Sequence, residues 1–549
     1  MLRQNILHRL LVLGVLLGVS CIMYLTSKTN GEFWWSDAPR HALNTIFCAD
    51  LLKDMPLTHL KNYAYDYYFQ YPALTILFYP PLFYVTAAPF VLMFGATNGV
   101  IQGIVIVHFF FLALGVYRLS RFWFSVPLSL ALSVAFCFLP DIAKWARQIM
   151  LEIPSLCFFI WSIFFFLKFL QGKKDKYLYL TTLFILLSMY TKFTAIFIIP
   201  VFALFLLWEY RLDLFRKRVF VLNIIILCLC MLPLVYLTLY FGKTNYESMT
   251  NISDAPLSKL TLENWLIYLK FIPSQIGLVL TYVLIASCLI SYVWTKLQHR
   301  DYFAFQDFQK KGFIFLCAWY VSGYIFFSYI SLKQSRYSLY ILYPLLFLVF
   351  FAVDHLRKEN KIWSTLCAFL IAVFVMVSTL LYYPAPFVTG YRESVDFISD
   401  KIPSQTNVMI SAYRDGSFIA NMRMYAGRND VSIFRSDKLF LHVNDRKSLG
   451  VGEKNFSEDE ILEIINRNRI SYVVAQDEFW IDVPQMKRVD NVLKSSHFQK
   501  VFEIIPTAFE PIHESKIIVY KNLSKLPAEA IREPIDIPKI GGQIEKHNQ

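Results

Sequence analysis

The feature that most constrains this chain is a succession of apolar runs, too long and too numerous for a water-soluble core. A bilayer core takes roughly 20 apolar residues per helix, fewer where a short helix borders a cavity, and about eleven stretches meet that need. They lie near residues 8–26, 98–118, 126–140, 153–170, 177–190, 194–209, 219–240, 273–295, 312–331, 338–353 and 362–383. Composition agrees with this reading. Over 549 residues the chain is 56% hydrophobic and only 17% charged, with mean hydropathy +0.46, outside the range of soluble globular domains. The fold class expected is a polytopic α-helical membrane protein.

The net charge of +13 raises the question of nucleic acid. The Lys and Arg residues, however, form short clusters between apolar runs and not one face or tail, so they read as topology signals. Arg3/Arg9, Arg118/Arg121, Lys173/Lys174/Lys176, Arg211/Arg216/Lys217/Arg218, Lys296/Arg300 and Arg357/Lys358/Lys361 all fall on one side of the membrane with eleven spans. That assignment puts the N-terminus in the cytoplasm and the C-terminal segment outside. The first run, "LLVLGVLLGVSCIMYLT", is followed by no small-residue cleavage site and reads as an uncleaved anchor. The cysteines lie almost wholly in apolar runs, without the spacing of a disulfide or zinc framework.

Two apolar pieces resist assignment as spans. "PPLFYVTAAPFVLMFGA" (80–96) is short and carries Pro89, and counting it as a crossing would reverse the basic bias downstream. It is expected as a juxtamembrane helix. The same holds for 39–54, where Leu43, Phe47 and Leu51 recur at helical spacing. The first outer loop, about 27–97, is thus a folded platform. After Tyr383 the pattern changes: "NVMISAY", "VSIFR", "ISYVVAQ", "FQKVFEII" and "KIIVYKNL" read as strands, and "SEDEILEIINRN" opens with a capping box of Ser457 and Glu460. Residues 1–383 are therefore expected to form a transmembrane domain, and 384–549 a small soluble α/β domain outside the membrane, ending in a disordered tail, "PIDIPKIGGQIEKHNQ". The junction "SAYRDGSFIANMRMYAGR" reads as a turn leading to a solvated basic helix, or as an anion site at a helix start.

Candidate chemistry gathers in the outer loops. Asp37 follows Trp34 and Trp35 and precedes "APRH"; a helix cap and an interfacial aromatic belt account for these residues as well as a reactive site does. A second acid, Glu152, stands in "LPDIAKWARQIMLEIPSL" with Asp141, Lys144 and Arg147, polar groups crowded between apolar helices. Lys192 in "MYTKFTAIF" and Arg336 in "SLKQSRYSLYILYP" add cations, for which snorkelling is the structural alternative. Two acids and several cations beside an apolar groove suit a reaction in which a lipid-linked phosphate leaves while a hydroxyl or amine attacks. A carboxylate then orients or deprotonates the acceptor, and Lys or Arg holds the phosphate.

In their order, "WWSDAPRH", "YPPLFYV", "ARQIMLEIPS", "YTKFTA" and "SRYSLYILYP" resemble the GT-C superfold of polyprenyl-phosphate-sugar glycosyltransferases, with lipid A aminoarabinose transferases and protein O-mannosyltransferases as the nearest families. The resemblance covers about residues 1–383. It implies that Asp37 is the catalytic or acceptor-orienting carboxylate and Glu152 the second-loop acid. It also implies that Arg147, Lys192, Arg336, Tyr337 and Tyr79 contact the donor phosphate or sugar, and that Arg40 and His41 lie on the acceptor side. Aminoarabinose transferases carry Lys before the Pro-Pro pair, whereas Tyr79 stands there in this chain, so the phosphate contact has to come from elsewhere.

The function expected is inverting transfer of a monosaccharide from a polyprenyl-phosphate carrier to a lipid, glycan or protein acceptor. The reaction belongs on the non-cytoplasmic face of a plasma (inner) membrane. No cofactor is certain from the residues; a divalent metal is compatible with them but not indicated. No nucleic-acid partner is expected. The rival readings are a lipid-sugar transporter or flippase, whose charges belong near the bilayer midplane, and a ligase resembling the O-antigen ligases.

Overall fold

The structure is a computed structural model that describes residues 2–241, 259–298, 307–356, 360–443, 450–509, 515–529, 535–537 and 542–544. Among these, eight helices are long and apolar enough to cross a membrane: 6–25, 98–120, 152–172, 193–215, 218–240, 307–329, 335–355 and 361–382. The count reaches ten if each of two bent pairs is one span. The chain is a multi-pass membrane protein.

The bends correct the expected list of spans. The run at 126–140 is a helix Val126–Cys137 joined to Pro140–Ala146 at 65°, because Pro140 cannot continue a helix from within and instead starts a new one. The run at 273–295 is not one straight span either. Helix Leu262–Ile276 turns by 117° into the next helix at Gly277, whose φ of +91° suits glycine. The run at 177–190 forms a helix of 17 residues, Asp175–Thr191, shorter than a usual full crossing.

The two pieces read as non-spanning are helical and short. Ala38–Asp54 starts with Pro39 in its first turn and ends with Met55 in the left-handed conformation, its amide closing on the Leu51 carbonyl. Leu82–Phe94 has 13 residues with Pro89 inside, too few to cross. These two helices pack on each other. Their contact sets the first loop as a platform beside the ends of the long helices.

Beyond Tyr382 the chain builds a five-stranded sheet. Its strands are β1 (Asn407–Ser411), β2 (Ile433–Arg435), β5 (Ile470–Gln476), β6 (Phe498–Ile504) and β7 (Ile517–Asn522); β3 (Leu441–Val443) and β4 (Val451–Glu453) form a separate hairpin. The order is β2-β1-β5-β7-β6, parallel over β2, β1 and β5 and antiparallel over β5, β7 and β6. All five expected strands are present, and the Ser457–Glu460 capping box closes in both directions on helix Glu458–Arg467. In the terminal stretch expected to be disordered, Ile535–Ile537 pairs with Gly542–Ile544; the rest of it lies outside the described residues.

Helix Asp415–Tyr425, which follows β1, packs directly on Ala38–Asp54. Ala42, Leu43 and Ile46 share one apolar core with Phe418, Ile419 and Met422. Asn421 donates to the Gly31 carbonyl at 2.9 Å, and a Cβ at Gly31, whose φ is +80°, would meet the Asn421 side-chain oxygen at 2.0 Å. The start of this helix therefore faces protein. Neither a solvated basic helix nor an open anion site describes it, because Arg414 donates to the Trp34 carbonyl and Asp415 binds Arg40 at 3.1 Å.

Candidate functional site

Asp37 occupies the N-cap position of Ala38–Asp54, yet its side chain does not cap. An N-cap residue normally has extended backbone geometry that turns its oxygen back onto the first turn. Asp37 has φ −80° and ψ −26°, so its carboxylate is directed elsewhere. It accepts from Trp35 Nε1 at 3.2 Å and from an Arg336 guanidinium nitrogen at 3.2 Å.

Glu152 begins helix Glu152–Gly172, where the helix dipole favours its charge. It is 1% exposed, and one of its oxygens takes Lys192 Nζ at 2.6 Å and the same Arg336 nitrogen at 3.3 Å. One guanidinium nitrogen thus bridges both acids. Lys192 stands in extended backbone between helix Asp175–Thr191 and the 3-10 turn Phe193–Ile198. Arg336 lies in a 3-10 turn, Ser335–Ile341, with Nε held by the Gln334 side chain at 2.6 Å.

A buried hydroxyl network ties these pieces together. Tyr340, one turn after Arg336, donates to Ser155 Oγ at 2.8 Å and accepts from Thr194 Oγ at 3.0 Å. Ser155 lies one turn after Glu152, and Thr194 two residues after Lys192. The Tyr340 hydroxyl therefore fixes the three chain segments that carry Glu152, Lys192 and Arg336. Such mutually satisfied polar contacts between apolar helices are costly to break.

Aromatic rings wall the cluster. Trp34, Trp35 and Trp145 form a mutual group with centroids 5.1, 5.4 and 6.0 Å apart. The Arg336 guanidinium lies 4.9 Å from the Trp35 ring and 5.3 Å from the Tyr337 ring, and Lys192 lies 5.5 Å from Tyr337, within cation–π range. Tyr79 packs edge-on against His41, 4.9 Å between centroids. His41 Nδ1 hydrogen-bonds the Tyr84 hydroxyl at 2.8 Å.

Electrostatics set the charge states. Burial raises the Asp37 carboxyl, but Arg336, with His41 and Arg40, more than offsets this and holds it at about 2. Burial pulls the His41 imidazole down to about 4, against the upward pull of Asp37 and Glu152. At neutral pH Asp37 is ionised and His41 is neutral.

Asp37, Glu152, Lys192, Arg336, Tyr337, Tyr79 and His41 are thus brought together. Two of the expected residues lie elsewhere. Arg147, expected beside the sugar, has Nε on the Ala143 carbonyl at 3.0 Å and a terminal nitrogen on the Tyr383 carbonyl at 2.6 Å; closing off a buried helix end consumes its donors. Arg40 turns toward Asp415 and the sheet. Lys144 covers Trp34 at 4.5 Å. Trp145 and Tyr84 belong to the site without having been singled out, because nothing but tertiary proximity separates them from other aromatic residues near a membrane. Among the described residues no three His, Cys, Asp or Glu side chains gather as a metal site.

This geometry sits in a fold with known relatives. A family model described as dolichyl-phosphate-mannose-protein mannosyltransferase matches residues 79–237. The solved structure of ArnT from Cupriavidus metallidurans bound to undecaprenyl phosphate superposes with TM-score 0.61 at 11% identity, covering 93% of this chain and 97% of that one. The chain has the GT-C fold. The Archaeoglobus fulgidus oligosaccharyltransferase in its apo form shares that fold with TM-score 0.52 at 12% identity, over 96% of this chain and 75% of that chain. The archaeal oligosaccharyltransferase AglB from the same organism, in complex with an inhibitory peptide and a dolichol-phosphate, gives 0.50 at 12% identity, over 90% and 73%. No curated protein matches the sequence. Within the GT-C fold of this chain, the Asp37–Arg336–Glu152–Lys192 quartet is, among the described residues, a largely buried group of charges at the ends of apolar helices.

Proposed function

We propose that the protein is an inverting glycosyltransferase that moves a monosaccharide from a polyprenyl monophosphate to an envelope acceptor. The observation that carries this reading is the single Arg336 guanidinium shared by Asp37 and Glu152, with Lys192 beside it. Two cations are already gathered, and a phosphate with charge developing on it competes for both. An apolar groove of about 590 Å³ is lined by Phe197, Val201, Phe205, Val321 and Phe326 among others; Phe197 follows Lys192 by five residues in the chain, and on this reading the groove takes the lipid chain.

Binding of the donor phosphate draws Arg336 away from Asp37. Loss of a partner of opposite charge raises a carboxylate by about one to three pK units, which moves Asp37 from inert counter-ion to competent base. The acceptor O–H or N–H attacks the anomeric carbon and its proton passes to the Asp37 carboxylate. The bond from the anomeric carbon to the phosphate oxygen breaks with its electron pair on that oxygen, where Lys192 and Arg336 hold it. One displacement inverts the anomeric centre. Neutral His41 orients the acceptor, and Tyr79 and Tyr337 close the pocket.

On this reading residues 1–383 form the catalytic membrane domain and 384–549 a soluble domain on the non-cytoplasmic side of the inner membrane, with the N-terminus in the cytoplasm. The test is transfer from a panel of labelled polyprenyl-phosphate monosaccharides by the purified protein in lipid with envelope extract as acceptor. Transfer by wild type that is lost in folded Asp37→Asn is expected. No transfer from any donor, with acceptor supply controlled, overturns the reading in favour of transport.

A further inference from the structure

Two buried polar atoms of the site lack a hydrogen-bond partner among the described residues: Glu152 Oε2 and Trp145 Nε1. They are opposite in kind, since a carboxylate oxygen only accepts and an indole N–H only donates. Each belongs to a side chain at most 3% exposed, where an unmade hydrogen bond is costly. Both side chains border one group: Arg336 lies 3.3 Å from the other Glu152 oxygen and 5.7 Å from the Trp145 ring. The two cations use only Oε1, which leaves Oε2 to something else.

The support behind Trp145 explains why it is held there. The short helix Pro140–Ala146 is fastened at its end by Arg147 on the Ala143 and Tyr383 carbonyls and by Gln102 on the Ala146 carbonyl at 2.7 Å. Trp34 and Trp35 flank the ring. Arg147 is thus a positioning residue for the indole.

We propose that Glu152 and Trp145 together bind one hydroxyl of the donor sugar, on the carbon next to the phosphate-linked carbon; this rests on the glycosyltransferase reading above. A hydroxyl donates to Glu152 and accepts from Trp145 at once. An ammonium group has no acceptor to give Trp145, and a deoxy carbon satisfies neither. The position follows from the phosphate. Lys192 and Arg336 hold it beside Oε1, so Oε2 of the same carboxylate reaches the adjoining ring carbon. Hydrogen bonds there strengthen as the anomeric carbon becomes cationic. The donor class is therefore a sugar with a free hydroxyl at that carbon, not the deoxy or amino analogue.

The experiment compares kcat/KM of wild type and Trp145→Phe for a polyprenyl-phosphate hexose and its 2-deoxy and 2-amino-2-deoxy analogues, with melting temperature as the folding control. Trp145→Phe keeps an aromatic ring and removes the N–H. It is expected to lose about 10- to 100-fold with the hydroxylated donor, the weight of one hydrogen bond in a charged site, and about tenfold less than that with the 2-deoxy donor, which has no hydroxyl for the indole to meet. An equal loss with all donors assigns Trp145 to packing and overturns the proposal. So does wild type that uses the 2-amino donor as well as the hydroxylated one. Both outcomes leave the glycosyltransferase reading standing, since transfer is still observed; only the absence of transfer by wild type from every donor removes that reading as well.

Discussion

Two sets of alternating acids and cations, one holding Asp37 and the other Arg40 three residues on, are finished differently. In the quartet, Arg336 and Lys192 crowd onto one oxygen of Glu152, and Trp35 and Arg336 onto one oxygen of Asp37. In the clamp between the first loop and the sheet, Arg40 reaches both oxygens of Asp415 at 3.1 and 3.3 Å. Arg435 then joins Asp415 at 2.9 Å and grips Asp437 through two bonds of 3.0 and 2.7 Å. The clamp spreads its bonds over both oxygens of each carboxylate. The quartet leaves a buried oxygen of Glu152 unused. Charge pairing is common to both, so it does not separate them; the unused Glu152 oxygen does.

The comparison is most exposed to failure at Asp37. Asp37→Asn should lower transfer by about 10²- to 10⁴-fold, the usual worth of a general base, at a cost of about 1–2 kcal/mol of stability from the lost Arg336 pair, measured by single-turnover transfer and thermal unfolding in detergent. Retained transfer would place Asp37 with the clamp. Next comes Arg336→Gln, which should abolish transfer and also destabilise the fold by about 3–5 kcal/mol, because Glu152 loses a partner in an apolar setting. Adding Glu152→Gln should restore stability without restoring transfer, and restoration of both would show that the quartet is structural.

Acid provides a third test. The folded pKa of His41, about 4, lies below its ordinary 6.5, so the unfolded chain takes up the proton first. The stabilisation is present in full above pH 6.5 and is lost as pH falls through 6.5 toward 4, about 3 kcal/mol in all. His41→Gln should flatten that part of the stability profile, read as melting temperature against pH. The smallest effect belongs to the clamp. Asp415→Asn should cost about 1–2 kcal/mol of stability while leaving transfer per folded molecule within threefold. A loss comparable with that of Asp37→Asn would erase the distinction between the two sets.

Much of the fold was legible in the sequence because it is written in local patterns. The apolar runs, the capping box at Ser457 and the five strands each need only neighbours in the chain. The bends at Pro140 and Gly277 were hidden inside runs that stay apolar throughout, and hydropathy does not register direction. At the site, Asp37, Glu152, Lys192 and Arg336 stood out as charges among apolar residues. Arg147 stood out for the same reason, but its donors go to carbonyls, one of them from Tyr383, far along the chain. Asp415 and Trp145 escaped notice because burial and partner, neither visible locally, are what distinguish them from ordinary loop residues.

The clamp also has a consequence for how the molecule comes into being. Arg40 and Asp415 are separated by 375 residues, so at a synthesis rate of about 5–20 residues per second the first loop waits roughly 20 to 75 seconds for its partner. Arg336 too is made late, 299 residues after Asp37. A chain that ends before residue 336 lacks two of the eight long apolar helices and leaves Asp37 and Glu152 without Arg336. A copy of that kind cannot assemble the quartet, whatever the state of the clamp.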